Sequence, residues 1–473
     1  MDKKNIFFQR LLVFTSIMLI FIVFTRPPID ADVWWHLRAG QTMLEQKHIL
    51  LEDIYSYTRS GETWVNAFWV SEVVLYIFYS IGGYFGLTLF VSLIGAATFY
   101  LLSIRSNGNP FTNGLALILC ALAAAPIWGP RPQIISFFII ALLDLWLSSK
   151  RPHWWLPILF TIWANIHGGW IWGFLLIAAH IAGNVITAVT EPEERSIIWK
   201  ETRSLIFWTA ISSLAIAVNP NGISLWKLPF HQVDVSMQIQ EWLSPDFHRI
   251  DFHPFLWVLF LLLLLSPFAP KRPAWGQIIK VLGFSYLTFV AQRNIAVAAI
   301  VASPLLADWM NSALQRFTTE KKLTSQSSLP TSIRVILNTV LIIFLSATSL
   351  GNAYLSSLPE KVDKNYPVEA TEWIKLNHPQ GKLFNSYNWG GYLLWSLPEY
   401  PVFIDGRADL YGNELLAQWQ DVINARENAE AILNDWQVNI VFVEPYWDIV
   451  PVLKDKGWKV AYEDAISIIL IRP

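Results

Sequence analysis

To about residue 354 the chain is a succession of apolar runs broken by short polar or charged stretches. Such runs suit helices that cross a bilayer, which takes about 20 apolar residues. They fall near 8–25, 67–81, 85–104, 113–129, 132–148, 154–189, 204–219, 253–269, 275–291, 294–311 and 332–354, and predict about eleven to thirteen spans. The 154–189 run is too long for one straight span. Its Trp-rich start (Trp154, Trp155, Trp163) suits the membrane interface, or the run breaks into two helices at His167-Gly168-Gly169. Beyond residue 355 the pattern changes. Short β-like runs (Leu383-Phe384, Val402–Ile404, Asn439–Val443, Lys459–Tyr462, Ile466–Ile471) alternate with helical patterns near 367–377, 413–434 and 447–456. The expected architecture is a polytopic α-helical membrane protein over 1–354, with a first outer loop at 26–66. A C-terminal soluble α/β domain follows, outside the cytoplasm, over 355–473. No internal repeat is visible, and Thr324–Ser328 is the one low-complexity linker.

Composition supports this class: 54% of residues are hydrophobic, 15% are charged and 25 are Trp, an apolar excess outside the soluble range. A net charge of −2 argues against a nucleic-acid partner and leaves membrane lipids as the surroundings. The single cysteine, Cys120, lies in an apolar run and reads as a small core residue. Arg26-Pro27-Pro28-Ile29 offers no small-residue cleavage site, so the first segment reads as a retained span. Lys3, Lys4 and Arg10 precede the first span, and Arg316, Lys321, Lys322 and Arg334 the last, which puts both sets in the cytoplasm. With eleven spans Arg195, Lys200, Arg203, Lys271 and Arg272 also face inward, while Arg105, Lys150 and Arg151 are misfits. The 26–66 loop, the 220–252 loop and the C-terminal domain then lie outside.

Candidate chemistry gathers first at Asp30-Ala31-Asp32. Val33, Leu37, Gly40 and Leu44 recur at helical spacing, so 33–45 predicts a short amphipathic helix lying along the membrane surface. Trp34 and Trp35 are its anchors or substrate contacts, Asp32 stands at the N-cap, and His36 is one turn on, followed by Arg38. A cap accounts for Asp32 but not for Asp30. Two such carboxylates can supply a general base or hold a divalent cation, Mg or Mn, against a phosphate. Glu72 and Asp144 sit inside apolar runs, where an acid is costly unless paired. Glu72, near the start of the second run, is the stronger catalytic candidate; Asp144 reads as helix-packing glue. Asn165 and His167 interrupt a third run. Gln292-Arg293-Asn294 places a permanent cation, suited to a departing phosphate, between two runs. Glu241-Trp242-Leu243-Ser244-Pro245 and His231 occupy the 220–252 loop. In the C-terminal domain, Asn385–Tyr392 and Phe403–Asp409 read as structural turns, with an expected ion-pair network of Asp405, Arg407 and Asp409; their aromatic and amide groups also suit a sugar surface. No P-loop, zinc spacing, catalytic-triad signature or dinucleotide fingerprint is present.

The first-loop motif, the many spans and the C-terminal outer domain resemble GT-C-type integral membrane glycosyltransferases. Within that class the likeness is to protein O-mannosyltransferases, lipid A aminoarabinose transferases and the oligosaccharyltransferase catalytic subunit. Trp389-Gly390-Gly391-Tyr392 and Phe403-Ile404-Asp405-Gly406-Arg407 further resemble a group of GT-C-like prokaryotic membrane proteins of unestablished chemistry. The resemblance implies a polyprenyl-phosphate sugar donor, a base from Asp30 or Asp32, and an Arg holding the lipid phosphate. The acceptor, a glycan, lipid or protein, would be extracytoplasmic and belong to the cell envelope. No Trp-Trp-Asp acceptor motif and no second Asp-x-Asp is found, which sets aside N-glycan transfer and leaves a metal requirement open. The alternatives are a flippase or transporter of lipid-linked sugars, and a non-catalytic envelope-assembly protein.

Overall fold

The structure is a computed structural model that describes residues 3–106, 108–149, 151–229, 240–269, 272–318 and 331–473. His231, Lys150, Lys271, Lys321, Lys322 and the 324–328 linker lie outside the described residues. The N-terminal part is helical: α1 (Lys3–Phe24), α2 (Val33–Gln46), α3 (Trp69–Arg105), α4 (Pro110–Ala124), α5 (Gln133–Leu147), α6 (Leu156–Ala164), α7 (Trp170–Thr190), α8 (Arg195–Ala215), α9 (His253–Leu265), α10 (Trp275–Val290), α11 (Ile295–Thr318) and α12 (Thr331–Ser356). Among the described residues seven helices are long and apolar enough to cross a membrane: Phe7–Phe24, Trp69–Arg105, Pro110–Ile127, Trp170–Thr190, Ile250–Phe268, Gln292–Phe317 and Val335–Ser356. The protein is a multi-pass membrane protein.

One of the two expected arrangements holds and one departure matters. The 154–189 run is two helices, α6 and α7, broken at residues 165–169. The 67–81 and 85–104 runs form the single element α3, which turns at Gly83 (φ 56°, ψ −140°). Glycine takes that backbone without a Cβ clash. The bend is sharp: a Cβ on Gly86 would collide with the Phe78 carbonyl oxygen, whereas eight residues of straight helix span about 12 Å.

The chain divides into two compact units. The first holds α1, α3 from Thr88 onward, α4 to α8, and the described residues from 240 to Ser356. Here α11 packs on α4, and α1 on α4. Small residues are buried on both helices: Ala296, Ala298, Ala299 and Ala302 on α11, and Ala116, Cys120 and Ala121 on α4. In an apolar solvent helix association depends on such close backbone approach. Asp144 on α5 is fully buried and pairs with Lys280 on α10 at 2.5 Å and with Arg105 at the end of α3. The carboxylate therefore joins three helices, and Lys280 was invisible as its partner in the sequence.

The second unit holds Pro27–Leu87, residues 219–229, and Ser357–Pro473. The first outer loop was expected to belong with the membrane domain, but it packs instead with the C-terminal region. That region contains α13 (Pro359–Asp363), α14 (Val368–Asn377), β1 (Lys382–Asn385), α15 (Tyr387–Ser396), α16 (Ala408–Ile423), α17 (Ala429–Asp435), β2 (Val438–Val443), α18 (Ile449–Asp455), β3 (Lys459–Glu463) and β4 (Ile468–Ile471). The sheet order is β1-β2-β4-β3, with β1 and β2 parallel and the other pairs antiparallel. The two central strands, β2 and β4, are nearly continuous apolar runs and are buried along almost their whole length. Val402–Ile404, expected as a strand, does not join the sheet. Val402 exchanges backbone hydrogen bonds with Tyr55 and Tyr57 of the first loop at 3.2 Å each. The Asn385 side chain accepts from the Phe403 N–H at 2.9 Å, and the Thr58 hydroxyl donates to the Phe403 carbonyl at 2.7 Å. This pairing ties the 26–66 loop to the C-terminal region.

Candidate functional site

In the second unit the Asp30-Ala31-Asp32 turn is organised by the residue that had no evident structural role. Asp30 Oδ1 accepts the Asp32 backbone N–H at 2.9 Å, an Asx turn. Asp32 stands at the N-cap of α2 but makes no capping hydrogen bond. Its Oδ1 instead accepts the Trp35 indole N–H at 3.1 Å. The capping role expected of Asp32 is thus corrected, because its carboxylate turns toward Trp35 and Gly406. A Cβ on Gly406 would collide with Asp32 Oδ1, and one on Gly391 would lie 2.8 Å from the Ala31 carbonyl oxygen. The two Gly-containing runs of the C-terminal region are therefore what lets its backbone approach the acid pair.

The α2 helix is packed into protein over most of its length: Val33–Leu37, Ala39, Gly40, Thr42 and Met43 are buried. Trp34, 1% exposed, sits among the rings of Tyr79, Tyr84, Tyr366, Tyr392 and Trp395. Trp34 is thus a core side chain, and neither an interfacial anchor nor an accessible substrate contact. Trp35 is also buried and orients Asp32. Arg38 donates to Gln41 at 3.2 Å. His36 Nδ1 meets Glu72 Oε1 at 3.2 Å, while Glu72 Oε2 accepts Asn66 Nδ2 at 2.8 Å. Glu72 is fully buried, with both oxygens engaged. Glu72→Ala leaves the buried Asn66 amide and His36 ring nitrogen without that partner, at about 1–3 kcal/mol each. A lower denaturation midpoint is expected for Glu72→Ala, and a milder loss for Glu72→Gln, which keeps one carbonyl acceptor.

Behind this turn lies a buried ion cluster. Arg407 donates to Asp405 through Nε (2.9 Å) and Nη2 (2.6 Å), and its Nη1 lies 2.8 Å from Asp53. The Tyr411 hydroxyl donates to Asp405 at 2.7 Å, and the Trp64 and Tyr55 rings stand 5.0 and 5.3 Å from the guanidinium. The expected network had Asp409 as its third member; the second carboxylate on Arg407 is Asp53, from the first loop. Burial opposes the Arg407 charge, but Asp405, Tyr411 and Asp53 raise its pKa well above the ordinary value.

Glu444 directly follows β2, and its Oε1 accepts the Ser386 hydroxyl, directly after β1, at 3.0 Å. Burial pushes its pKa up to about 7, against the lowering effect of its own backbone N–H and of Ser386. A carboxyl raised in the folded state leaves stability intact below the unfolded value of about 4.5 and erodes it as pH rises toward 7. Glu444→Gln should therefore stabilise the protein at pH 8 by about 3 kcal/mol, with the gain vanishing below pH about 4.5. Hydrogen exchange of β2, corrected for intrinsic rates, measures it.

The first unit gathers the other predicted residues. Arg293, in the turn Gln292–Asn294, lies over the Trp242 ring at 4.2 Å. Neighbouring Glu241 pairs with Arg131 at 2.6 Å. His167 Nδ1 accepts the Gly169 N–H at 2.8 Å and lies 2.8 Å from the Ser136 hydroxyl, which accepts the Trp163 indole N–H at 2.7 Å. Accepting at Nδ1 places the imidazole proton on Nε2. Asn165 donates to the Thr161 and Val218 carbonyls at 2.8 Å each, closing the end of α6. Sequence reading missed Arg131, Ser136, Asn66, Asp53 and Glu444. Arg131 carried a signal, a cation beside Pro132 at the head of an apolar helix; the others become meaningful only through partners distant in the chain.

No family model and no curated protein matches the chain. Solved structures do match in fold. The oligosaccharyltransferase AglB from Archaeoglobus fulgidus, solved with an inhibitory peptide and a dolichol-phosphate, aligns with TM-score 0.60 and 11% identity, over 94% of this chain and 70% of that one. ArnT from Cupriavidus metallidurans, bound to undecaprenyl phosphate, aligns with TM-score 0.54 and 13% identity, over 97% of each chain. Its apo form gives 0.55 and 14%, over 99% and 98%. These neighbours are GT-C glycosyltransferases, and the chain has the GT-C-type fold.

Proposed function

We propose that this protein is a membrane glycosyltransferase that moves a sugar from a polyprenyl-phosphate donor to an extracytoplasmic acceptor with inversion. The observation that carries the reading is the Asp30–Asp32 turn, held at the head of α2 by its own Asx hydrogen bond and the Trp35 indole, within a fold shared with lipid-phosphate-bound GT-C structures. A carboxylate of the pair takes the proton of the acceptor hydroxyl as that oxygen bonds to the anomeric carbon. The bond from that carbon to the phosphate oxygen breaks, and the polyprenyl phosphate leaves with the electron pair. An arginine guanidinium, a permanent cation with a fork that fits phosphate oxygens, is the counter-charge that this departing phosphate needs. Glu72 positions His36 rather than touching a reactant.

Asp30 and Asp32 also have the hard oxygen donors that a divalent cation, Mg or Mn, needs. No three His, Cys, Asp or Glu side chains among the described residues form a metal-binding group. A cation there would take its remaining ligands from water and substrate phosphate, as magnesium commonly does, and would neutralise phosphate charge. Counting α3 as one crossing moves Arg105 and Arg151 to the side of Lys3, Lys4 and Arg10. The positive-inside bias then favours a cytoplasmic N-terminus and an outer Asp30–Asp32 loop. Purified protein incubated with a panel of polyprenyl-phosphate sugars and candidate glycan, lipid and peptide acceptors should consume at least one donor; no turnover across the panel rejects the reading.

A further inference from the structure

We propose that the half-buried rings of Tyr387, Trp419 and Trp447, together with Ser386 and Glu444, form a saccharide subsite that holds a neutral glycan as the acceptor. This inference rests on the glycosyltransferase reading and names its acceptor class. The residues come from distant parts of the chain and meet at one edge of the sheet. Strands β1 and β2 are parallel, and Ser386 and Glu444 are the first residues beyond their carboxyl ends. That edge is where open α/β sheets place their ligands.

Three rings line the same place. Tyr387 and Trp419 have centroids 5.8 Å apart, and Trp419 meets Trp447 edge-on at 5.6 Å. The Trp419 indole is held by a hydrogen bond to the Asn385 carbonyl at 3.0 Å. The three rings are only partly buried, although core aromatics of this unit such as Trp64 and Phe442 are 1% and 0% exposed. Partly exposed, mutually braced rings offer the flat apolar faces on which the C–H face of a pyranose stacks.

Polar chemistry accompanies them. Glu444 is 8% exposed, its Oε1 accepts from Ser386, and its Oε2 has no hydrogen-bond partner among the described residues. A buried oxygen left without a donor is costly. Sugar hydroxyls are donors of the right kind, and a glycan without acidic groups avoids repulsion from the carboxylate. The subsite also leads toward the proposed base. The Tyr387 hydroxyl reaches the Gly406 carbonyl at 3.5 Å, and Gly406 abuts Asp32 Oδ1.

The test uses the full-length protein in detergent, without donor, titrated with manno-, galacto- and gluco-tetraoses by calorimetry. At least one should bind. Trp447→Ala should weaken that binding about ten-fold, the equivalent of about 1.4 kcal/mol, and Trp447→Phe should restore most of it, since a flat ring remains. Glu444→Gln should weaken it several-fold. In turnover, Trp447→Ala should raise the acceptor KM and leave the donor KM unchanged. No binding of any tetraose overturns the proposal, as does binding that Trp447→Ala leaves intact, or preferential capture of peptide or phospholipid vesicles through these residues. Binding that persists in Asp30→Asn/Asp32→Asn protein while no donor is consumed by the parent would remove the catalytic reading and leave the subsite standing.

Discussion

Asp30→Asn/Asp32→Asn protein is expected to fold, to insert into the membrane and to lose transfer activity by about 10²–10⁴-fold, the usual contribution of a general base. The substitution is a clean one because of what the two carboxylates do structurally. Asn at 30 still presents a carbonyl oxygen to the Asp32 N–H, so the Asx turn survives. Asn at 32 still presents one to the Trp35 indole. Lost activity with an unchanged denaturation midpoint therefore reports chemistry rather than collapse. The single variants apportion the roles. The residue that takes the proton should reproduce nearly the whole loss by itself, since groups acting in one step are strongly non-additive. The double variant should then be little worse than the poorer single one. Parental turnover in the double variant would exclude the pair as base.

Arg407→Ala is expected to be the most damaging single change to the second unit, at about 3–5 kcal/mol, because removing one member of a buried ion cluster strands the others. Asp405 and Asp53 are both fully buried, and each would lose its guanidinium partner. The consequence spreads beyond one contact, because Asp53 belongs to the first loop and Asp405 to the C-terminal region. The loop's other ties, among them the Tyr55 and Tyr57 pairing with Val402 and the Thr58 bond to Phe403, would have to hold without it. Protease sensitivity of the 50–66 segment, together with the denaturation midpoint of the full-length protein, reads the effect. The triple change Asp53→Asn, Arg407→Met, Asp405→Asn should recover much of the loss, since it removes the charges together. If Arg407→Ala alone is as stable as the parent, the cluster is not what joins the two segments.

The membrane class, the helices and the C-terminal α/β character were legible because they depend on local signals. Runs of apolar residues reflect bilayer thickness, and short apolar strands between turns reflect the pleat of a sheet. The acid pair was legible for the same reason, as two charges whose position at the end of an apolar run is visible without knowing any partner. What tertiary structure decided is pairing. Sequence periodicity suggested that α2 floats on a membrane surface, but Gly391 and Gly406 give its start a protein partner, and Trp34 becomes core. Spacing assigned Asp409 to Arg407, whereas the fold supplies Asp53 from some 350 positions away. Asp32 was read as a cap because capping is local, yet its carboxylate answers to Trp35 and Gly406. Glu444 and Trp447 carried no signal in their own segments and acquire meaning only where two parallel strands end side by side. Local physics wrote the elements of this protein into consecutive residues; long-range hydrogen bonds, ion pairs and close glycine contacts, which no window of sequence contains, decided which of those residues face one another.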